Sequence, residues 1–141
     1  MITVSAHPKV EHLEIAALYV QALEQWNNGT MEQWNNGTME QWKNGGPLPP
    51  EFGSEGQWED NRKLCDSFVY KIHIHLPDDP PWPPRLAVAS RKSDNYLVYA
   101  RHWLDPNKYQ LISIMSPEAH ALARTSYLAE LERRAEEFQN T

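Results

Sequence analysis

The sequence predicts a small α+β domain, a short antiparallel sheet with its N-terminal and C-terminal helices on one face. Three observations carry that expectation. Apolar residues recur at helical spacing in the first thirty positions, and Val10, Leu13, Ala17, Val20 and Leu23 form a stripe with Glu11, Glu14 and Gln21 off it. Three strand-like runs, beginning at Ser67, Tyr96 and Tyr109, follow one another through turn-like links, which favours an antiparallel meander. A helix-start signal at Ser116-Pro117-Glu118 then leads into a closing amphipathic run.

In chain order, Met1–Ser5 is a short strand candidate in which Ile2 and Val4 alternate with Thr3 and Ser5. The first helix follows from about Val10. After it, EQWNNGTM occurs at Glu24–Met31 and again at Glu32–Met39, and a third copy starts as EQWKNGG at Glu40–Gly46. A period of eight residues is well below the roughly 20–50 residues of solenoid repeats. On one continuous helix each step would rotate the Trp by about 80°, so Trp26, Trp34 and Trp42 would share no face. Asn-Asn-Gly also favours turns and helix ends. The repeat is read as a tandem duplication at about residues 24–45 that lengthens the helix end or the loop after it; an aromatic binding stripe is the alternative.

Gly45–Gly53 (GGPLPPEFG) is a turn-rich connector, and Gln57–Asp66 is polar with room for a short helical turn. From Ser67, the residues Phe68, Tyr70, Ile72, Ile74 and Leu76 alternate with Ser67, Val69, Lys71, His73 and His75, the period of a strand. The proline-rich Pro77–Pro84 excludes helix and central strand. Arg91–Asn95 is a polar turn before the strand Tyr96–Arg101, and Asp105–Lys108 links it to the strand Tyr109–Met115. In the closing helix, to about Phe138, Leu128, Leu131, Ala135 and Phe138 form the apolar stripe.

At 141 residues the chain is expected to be one domain. No apolar run approaches the ~18 residues of a membrane span, and the start MITVSAHPKV lacks a basic segment followed by an apolar stretch. With one cysteine, Cys65, no intramolecular disulfide can form, and a cytoplasmic protein is expected. Residues 1–60 hold two basic against nine acidic side chains, a net of −7; residues 61–141 hold eleven against ten, a net of +1, which together give −6. Any nucleic-acid contact must therefore rest on a local basic patch in the second part.

Two histidines one residue apart in YKIHIHLPDD (Tyr70–Asp79) raise the question of chemistry. In a strand His73 and His75 share a face with Lys71, while Ile72 and Ile74 point to the core. That face is either merely solvated or a cationic groove with groups that titrate near neutral pH. Metal chelation is a third reading, with His102, His120 or Asp94 as further ligands at no recognised spacing. His120 and Arg124, four apart, share a face of the closing helix; Arg91 precedes a central strand and Arg101 ends it. Guanidinium groups beside imidazoles suit phosphodiester chemistry, one holding phosphate and the other moving a proton. Arg124 could equally be an ion-pairing surface residue near Glu118, Glu130 and Glu132. No Gly-rich phosphate loop, Gly-x-Ser-x-Gly elbow, Cys-x-x-Cys or His-Glu-x-x-His is present.

GGPLPPEFG (Gly45–Gly53), HIHL (His73–Leu76), PPRL (Pro83–Leu86), SRKSD (Ser90–Asp94), LVY (Leu97–Tyr99), LISIMSPEAHALAR (Leu111–Arg124) and AEEF (Ala135–Phe138) occur in this order. As a set they resemble the YafO family, toxins of bacterial type II toxin–antitoxin pairs, from about Gly45 to Phe138. The resemblance implies a RelE/ParE-like fold and a ribosome-dependent messenger-RNA endonuclease that arrests translation, held inactive by a cognate antitoxin. It implies a metal-free mechanism without cofactor, in which the RNA's own 2′-hydroxyl attacks the adjacent phosphate. Carried over motif by motif, His73, His75, Asp94, His120 and Tyr99 become candidate catalytic residues. Lys71, Arg91, Arg101 and Arg124 become candidate substrate contacts. A non-catalytic ParE-like inhibitor that binds a protein target, or an inactive homologue, is the alternative. The duplicated octapeptides have no counterpart in the family pattern.

Overall fold

A computed structural model describes residues 2–28, 34–35, 38–39, 51–80, 82–83 and 85–141. The elements are β1 (Thr3–Ala6), α1 (Leu13–Asn28), β2 (Trp34–Asn35), β3 (Thr38–Met39), β4 (Phe52–Gln57), α2 (Arg62–Asp66), β5 (Val69–Ile74), a 3₁₀ turn (Val88–Ser90), β6 (Tyr96–Arg101), β7 (Lys108–Met115), α3 (Ala119–Leu122) and α4 (Tyr127–Gln139). The main sheet has the order β1-β7-β6-β5-β4. β4 to β7 run antiparallel as a meander, and β1 joins β7 in parallel, so the sheet is mixed rather than purely antiparallel.

Helices cover both faces of this sheet, which corrects the one-faced arrangement expected from the sequence. α1 packs Tyr19, Leu23 and Trp26 against Ile72, Leu97 and Leu111. On the other side Leu131, Ala135 and Phe138 of α4, with Leu64 of α2, pack against Val69, Val98 and Ile112. The reason lies in β6. Tyr96 to Ala100 are all buried, and a strand apolar on both sides must be covered on both sides. Each fully buried Leu or Ile in these layers contributes about 1.5–3 kcal/mol.

Three local departures from expectation have physical causes. His12 has a left-handed backbone (φ 55°), so α1 starts at Leu13, and its buried face is Ala16, Tyr19, Ala22, Leu23 and Trp26. Leu13 is 67% exposed, because the two large aromatic side chains seven residues apart bury more area than the predicted stripe could. The connector at Gly45–Gly53 gives way to β4 at Phe52, where a Cβ on Gly53 would lie 2.3 Å from the Arg91 carbonyl oxygen. Only glycine lets the edge strand approach that closely, and the Ser54 amide donates to the same oxygen (2.9 Å). Finally, Glu118 is left-handed (φ 61°), so the closing helix does not begin at Ser116 and Pro117 but at Ala119, and it is divided into α3 and α4.

The first octapeptide copy begins within α1, and its Trp26 is core, edge-on to Phe52 at 5.9 Å between ring centroids. Trp34–Asn35 and Thr38–Met39 of the second copy pair antiparallel. Trp42 and the rest of the third copy lie outside the described residues.

Candidate active site

β5 supplies the first part of the site. Its alternation turns Ile72 and Ile74 under α1 and turns Lys71 and His73 to the α4 side, where α4 does not reach the β4–β5 edge. The uncovered strip is a groove with two lobes. The polar lobe, about 370 Å³, is lined among others by Gly56, Lys71, His73, Lys92, Tyr96 and His120. The second, about 290 Å³, is lined by Trp58, Asn61, Ala123, Arg124 and Leu128. Asp60, Lys71, Tyr96 and His120 line both and form the divide between them.

Each group on the divide is held by its neighbours. The Lys71 ammonium lies over the Trp58 ring at 4.5 Å and the Tyr96 ring at 5.2 Å, favourable cation–π positions. Tyr96 stands opposite His73 in the β5–β6 register and meets its imidazole edge-to-face at 4.9 Å. The same ring is 5.1 Å from His120, and the two imidazole centroids are 6.0 Å apart. The Ser93 backbone pins Nδ1 of His73, with its carbonyl oxygen at 2.8 Å and its amide nitrogen at 2.9 Å. Ser93 is itself fixed by its hydroxyl, which donates to the carbonyls of Ile74 (2.7 Å) and Asn95 (3.0 Å).

Asp94 organises the other imidazole. One carboxylate oxygen accepts the His120 amide (2.8 Å) and lies 2.6 Å from its Nδ1, while the Asp94 carbonyl accepts the Ala119 amide (2.9 Å). Asp94 thus caps α3, the role expected of Ser116, and orients His120 in the same contact. These hydrogen bonds from His120 hold the Asp94 carboxyl below its ordinary range. Burial pushes the His73 imidazole down from its usual value; the Ser93 carbonyl opposes this, and the charges of His120, Lys92 and Lys71 add to it. The lowered value favours the neutral ring, and in the tautomer whose Nδ1–H donates to the Ser93 carbonyl, Nε2 is the proton acceptor. Burial and the Asp94 charge push the Tyr96 hydroxyl up, so it stays protonated.

The structure thus brings together Lys71, His73, Asp94, His120 and Arg124, and not the other four candidates. β5 ends at Ile74, so His75 leaves the strand face. Its ring packs edge-on to Trp82 at 5.0 Å, its Nδ1 lies 3.1 Å from the Leu76 carbonyl, and its own carbonyl accepts the Tyr19 hydroxyl. Tyr99 points to the α1 face. It is 3% exposed, donates to the Glu55 carboxylate and stacks on Tyr109 at 5.8 Å. Arg91 turns back to the Leu86 carbonyl (3.3 Å), and Arg101 lies over Phe68 at 5.2 Å. Trp58, Lys92, Ser93 and Tyr96 are site residues that the sequence did not single out. Tyr96 had a readable signal, since a meander pairs the start of β6 with the end of β5, and Lys92 and Ser93 lay inside the SRKSD motif. Among the described residues, no group of three or more His, Cys, Asp or Glu side chains is arranged to hold a metal ion, and no helix is long and apolar enough to cross a membrane.

Residues 40–140 match the family model described as toxin YafO, type II toxin–antitoxin system. The chain belongs to the YafO toxin family. The resemblance drawn from its ordered motifs is borne out, and the YafO match begins at Glu40, the first residue of the third octapeptide copy. The mRNA interferase toxin YafO of Escherichia coli (strain K12) is 38% identical over 82 residues, covering 56% of this chain and 62% of that protein. The chain therefore matches less than two thirds of that relative's length. No solved structure matches. Three of the YafO-like motifs build the groove: HIHL contributes His73, SRKSD contributes Lys92, Ser93 and Asp94, and PEAHALAR contributes His120 and Arg124.

Proposed function

We propose that this YafO-family protein is a messenger-RNA endoribonuclease that cleaves without a metal or other cofactor. The observation that carries the reading is the two-imidazole groove, with His73 and His120 6.0 Å apart beside the cations Lys71, Lys92 and Arg124. That spacing suits one phosphodiester between a base and an acid. Lys71 and Arg124 hold the phosphate and offset the charge that grows on it. His73, neutral through burial, takes the proton of the 2′-hydroxyl at Nε2. The 2′-oxygen forms a bond to phosphorus as the bond to the 5′-oxygen breaks. His120, in its imidazolium form, gives its Nε2 proton to that oxygen, while Asp94 accepts from Nδ1 and offsets the ring's charge. The products are a 2′,3′-cyclic phosphate and a 5′-hydroxyl.

The name of the E. coli relative supports messenger RNA as substrate, and with it action on translating ribosomes in the cytoplasm. The type II family supports a small protein antitoxin as the restraining partner. The strand–helix–sheet–helix order supports a RelE/ParE-like architecture in one domain, with the octapeptide insertion at about residues 24–45 as an addition to it. Mapping RNA ends in cells that express the chain, with and without translation, tests the reading. New ends confined to translated messages are expected; arrested growth with intact messages would reject cleavage in favour of a protein target. The chemistry of those ends tests the metal-free route: 2′,3′-cyclic phosphate and 5′-hydroxyl ends are expected, and 3′-hydroxyl with 5′-phosphate ends would reject attack by the 2′-hydroxyl.

A further inference from the structure

The two lobes differ in chemistry, and the cleavage mechanism uses the divide together with His73 of the polar lobe and Arg124 of the smaller one. The apolar part of the smaller lobe's lining is Trp58 and Tyr96, both largely buried with the Lys71 ammonium over their rings, together with Ala123 and half-buried Leu128. Its volume of about 290 Å³ is at the lower end of ligand pockets, which begin near about 300 Å³, and suits one planar ring. Its polar lining is Asp60, Asn61, Lys71, His120 and Arg124. Asn61 is already engaged, accepting the Leu64 amide and donating to Glu132. Asp60 is exposed and enters no hydrogen bond or ion pair among the described residues.

We infer that this lobe is a nucleobase pocket for the nucleotide adjoining the scissile phosphate. The inference rests on the ribonuclease reading above and adds where a base is held. The residues that line this lobe alone are Trp58, Asn61, Ala123, Leu128 and a single cation, Arg124, whereas Lys71 and His120 stand on the divide and Lys92 beyond it, so a phosphate finds more cations there than inside the lobe. A base is neutral and flat, and its N–H groups can donate to Asp60. Phosphate on the divide and base in the apolar lobe therefore satisfies each group with its complement. Ala123 and Leu128, from the turn after α3 and the first turn of α4, set the depth and width available to the ring.

Binding of the four ribonucleoside 5′-monophosphates to the full chain, compared by calorimetry with ribose 5-phosphate, which lacks the base, tests this directly. At least one nucleotide is expected to bind about tenfold or more tighter than ribose 5-phosphate, the scale of one base–aromatic contact. Ala123→Leu, which fills the lobe, should erase that difference and leave ribose 5-phosphate binding within about twofold. Leu128→Ala, which widens it, should reduce the difference without abolishing binding, and its retention of ribose 5-phosphate binding reports a folded protein. Equal affinities with and without a base, or an undiminished preference in Ala123→Leu, would overturn the pocket even if RNA is cut in cells. A base preference that Ala123→Leu removes would uphold it even if RNA-end mapping rejects cleavage.

Discussion

Two clusters of charged side chains flank the C-terminal helix, and they are built on opposite principles. In the first, Arg134 is 5% exposed and ties the middle of α4 to the segment before α1. Its guanidinium donates to Glu11 (2.9 Å), Glu130 (2.8 Å) and the Ile112 carbonyl (3.0 Å), and Glu11 also accepts from Ser113 (2.7 Å) and Tyr127 (2.5 Å). Burial raises the Glu11 carboxyl, but the hydrogen bonds from Arg134, Tyr127 and Ser113 outweigh it and hold the group below its ordinary range. The guanidinium's charge is met on all sides. In the second cluster Lys71 and Arg124 line a groove that Glu55, Glu59 and Asp60 also line, yet among the described residues neither cation stands in a salt bridge, while His120 pairs with Asp94. A paired cluster fixes two chain segments to each other; cations without a salt-bridge partner beside two imidazoles are what the proposed phosphate contact requires. On the proposed reading, the difference separates stability from activity within one face of the sheet.

Mutations that respect this division should affect one property and spare the other. The largest expected effect is on activity: His120→Ala or His73→Ala should lower the cleavage rate by about 10²–10⁴-fold, the usual worth of a general acid or base, with an unchanged melting temperature. Next, Arg134→Ala should cost about 3 kcal/mol of stability by stranding Glu11, seen in urea unfolding, while the folded fraction cleaves at the normal rate. Asp94→Asn keeps the shape but replaces a charge-assisted hydrogen bond by a neutral one, so a rate loss of about tenfold is expected in single-turnover assays.

Two pH dependences sharpen the contrast. His73 must be deprotonated to act as base, and its value is lowered, so the acid limb of the pH–rate profile should fall below about 6.5, the ordinary imidazole value. The carboxylates of the first cluster are depressed in the folded state, Glu130 to about 2 through its hydrogen bonds with Arg133 and Arg134. Their contribution to stability is present above the unfolded value of about 4.3 and is lost as pH falls from there toward 2. Acid unfolding followed by circular dichroism should show the loss in that window, and Glu130→Gln should diminish it.

The sequence made the meander readable because β5, β6 and β7 carry strong apolar patterns: Tyr96–Arg101 was bounded to the residue, and β7 to within one. It concealed β4, since FGSEGQ has two glycines and no alternating stripe and is held as an edge by pairing with Tyr70–Ile74. The second helical layer was written in YLVYA, an unbroken apolar run typical of a strand covered on both faces. Of the groove, Lys71 and His73 followed from strand parity and the His120–Arg124 pairing from helical spacing. The separation of His75 did not follow, because periodicity does not say where a strand ends. Nor did the Asp94–His120 contact, which joins residues 26 apart through a cap made by a loop.

The end chemistry of the cleaved RNA tests the two-imidazole groove most directly. Wild-type protein acting on a translated message should leave 2′,3′-cyclic phosphate and 5′-hydroxyl ends, and a folded His120→Ala protein should leave almost none. The same ends at the same rate from that variant would contradict the account.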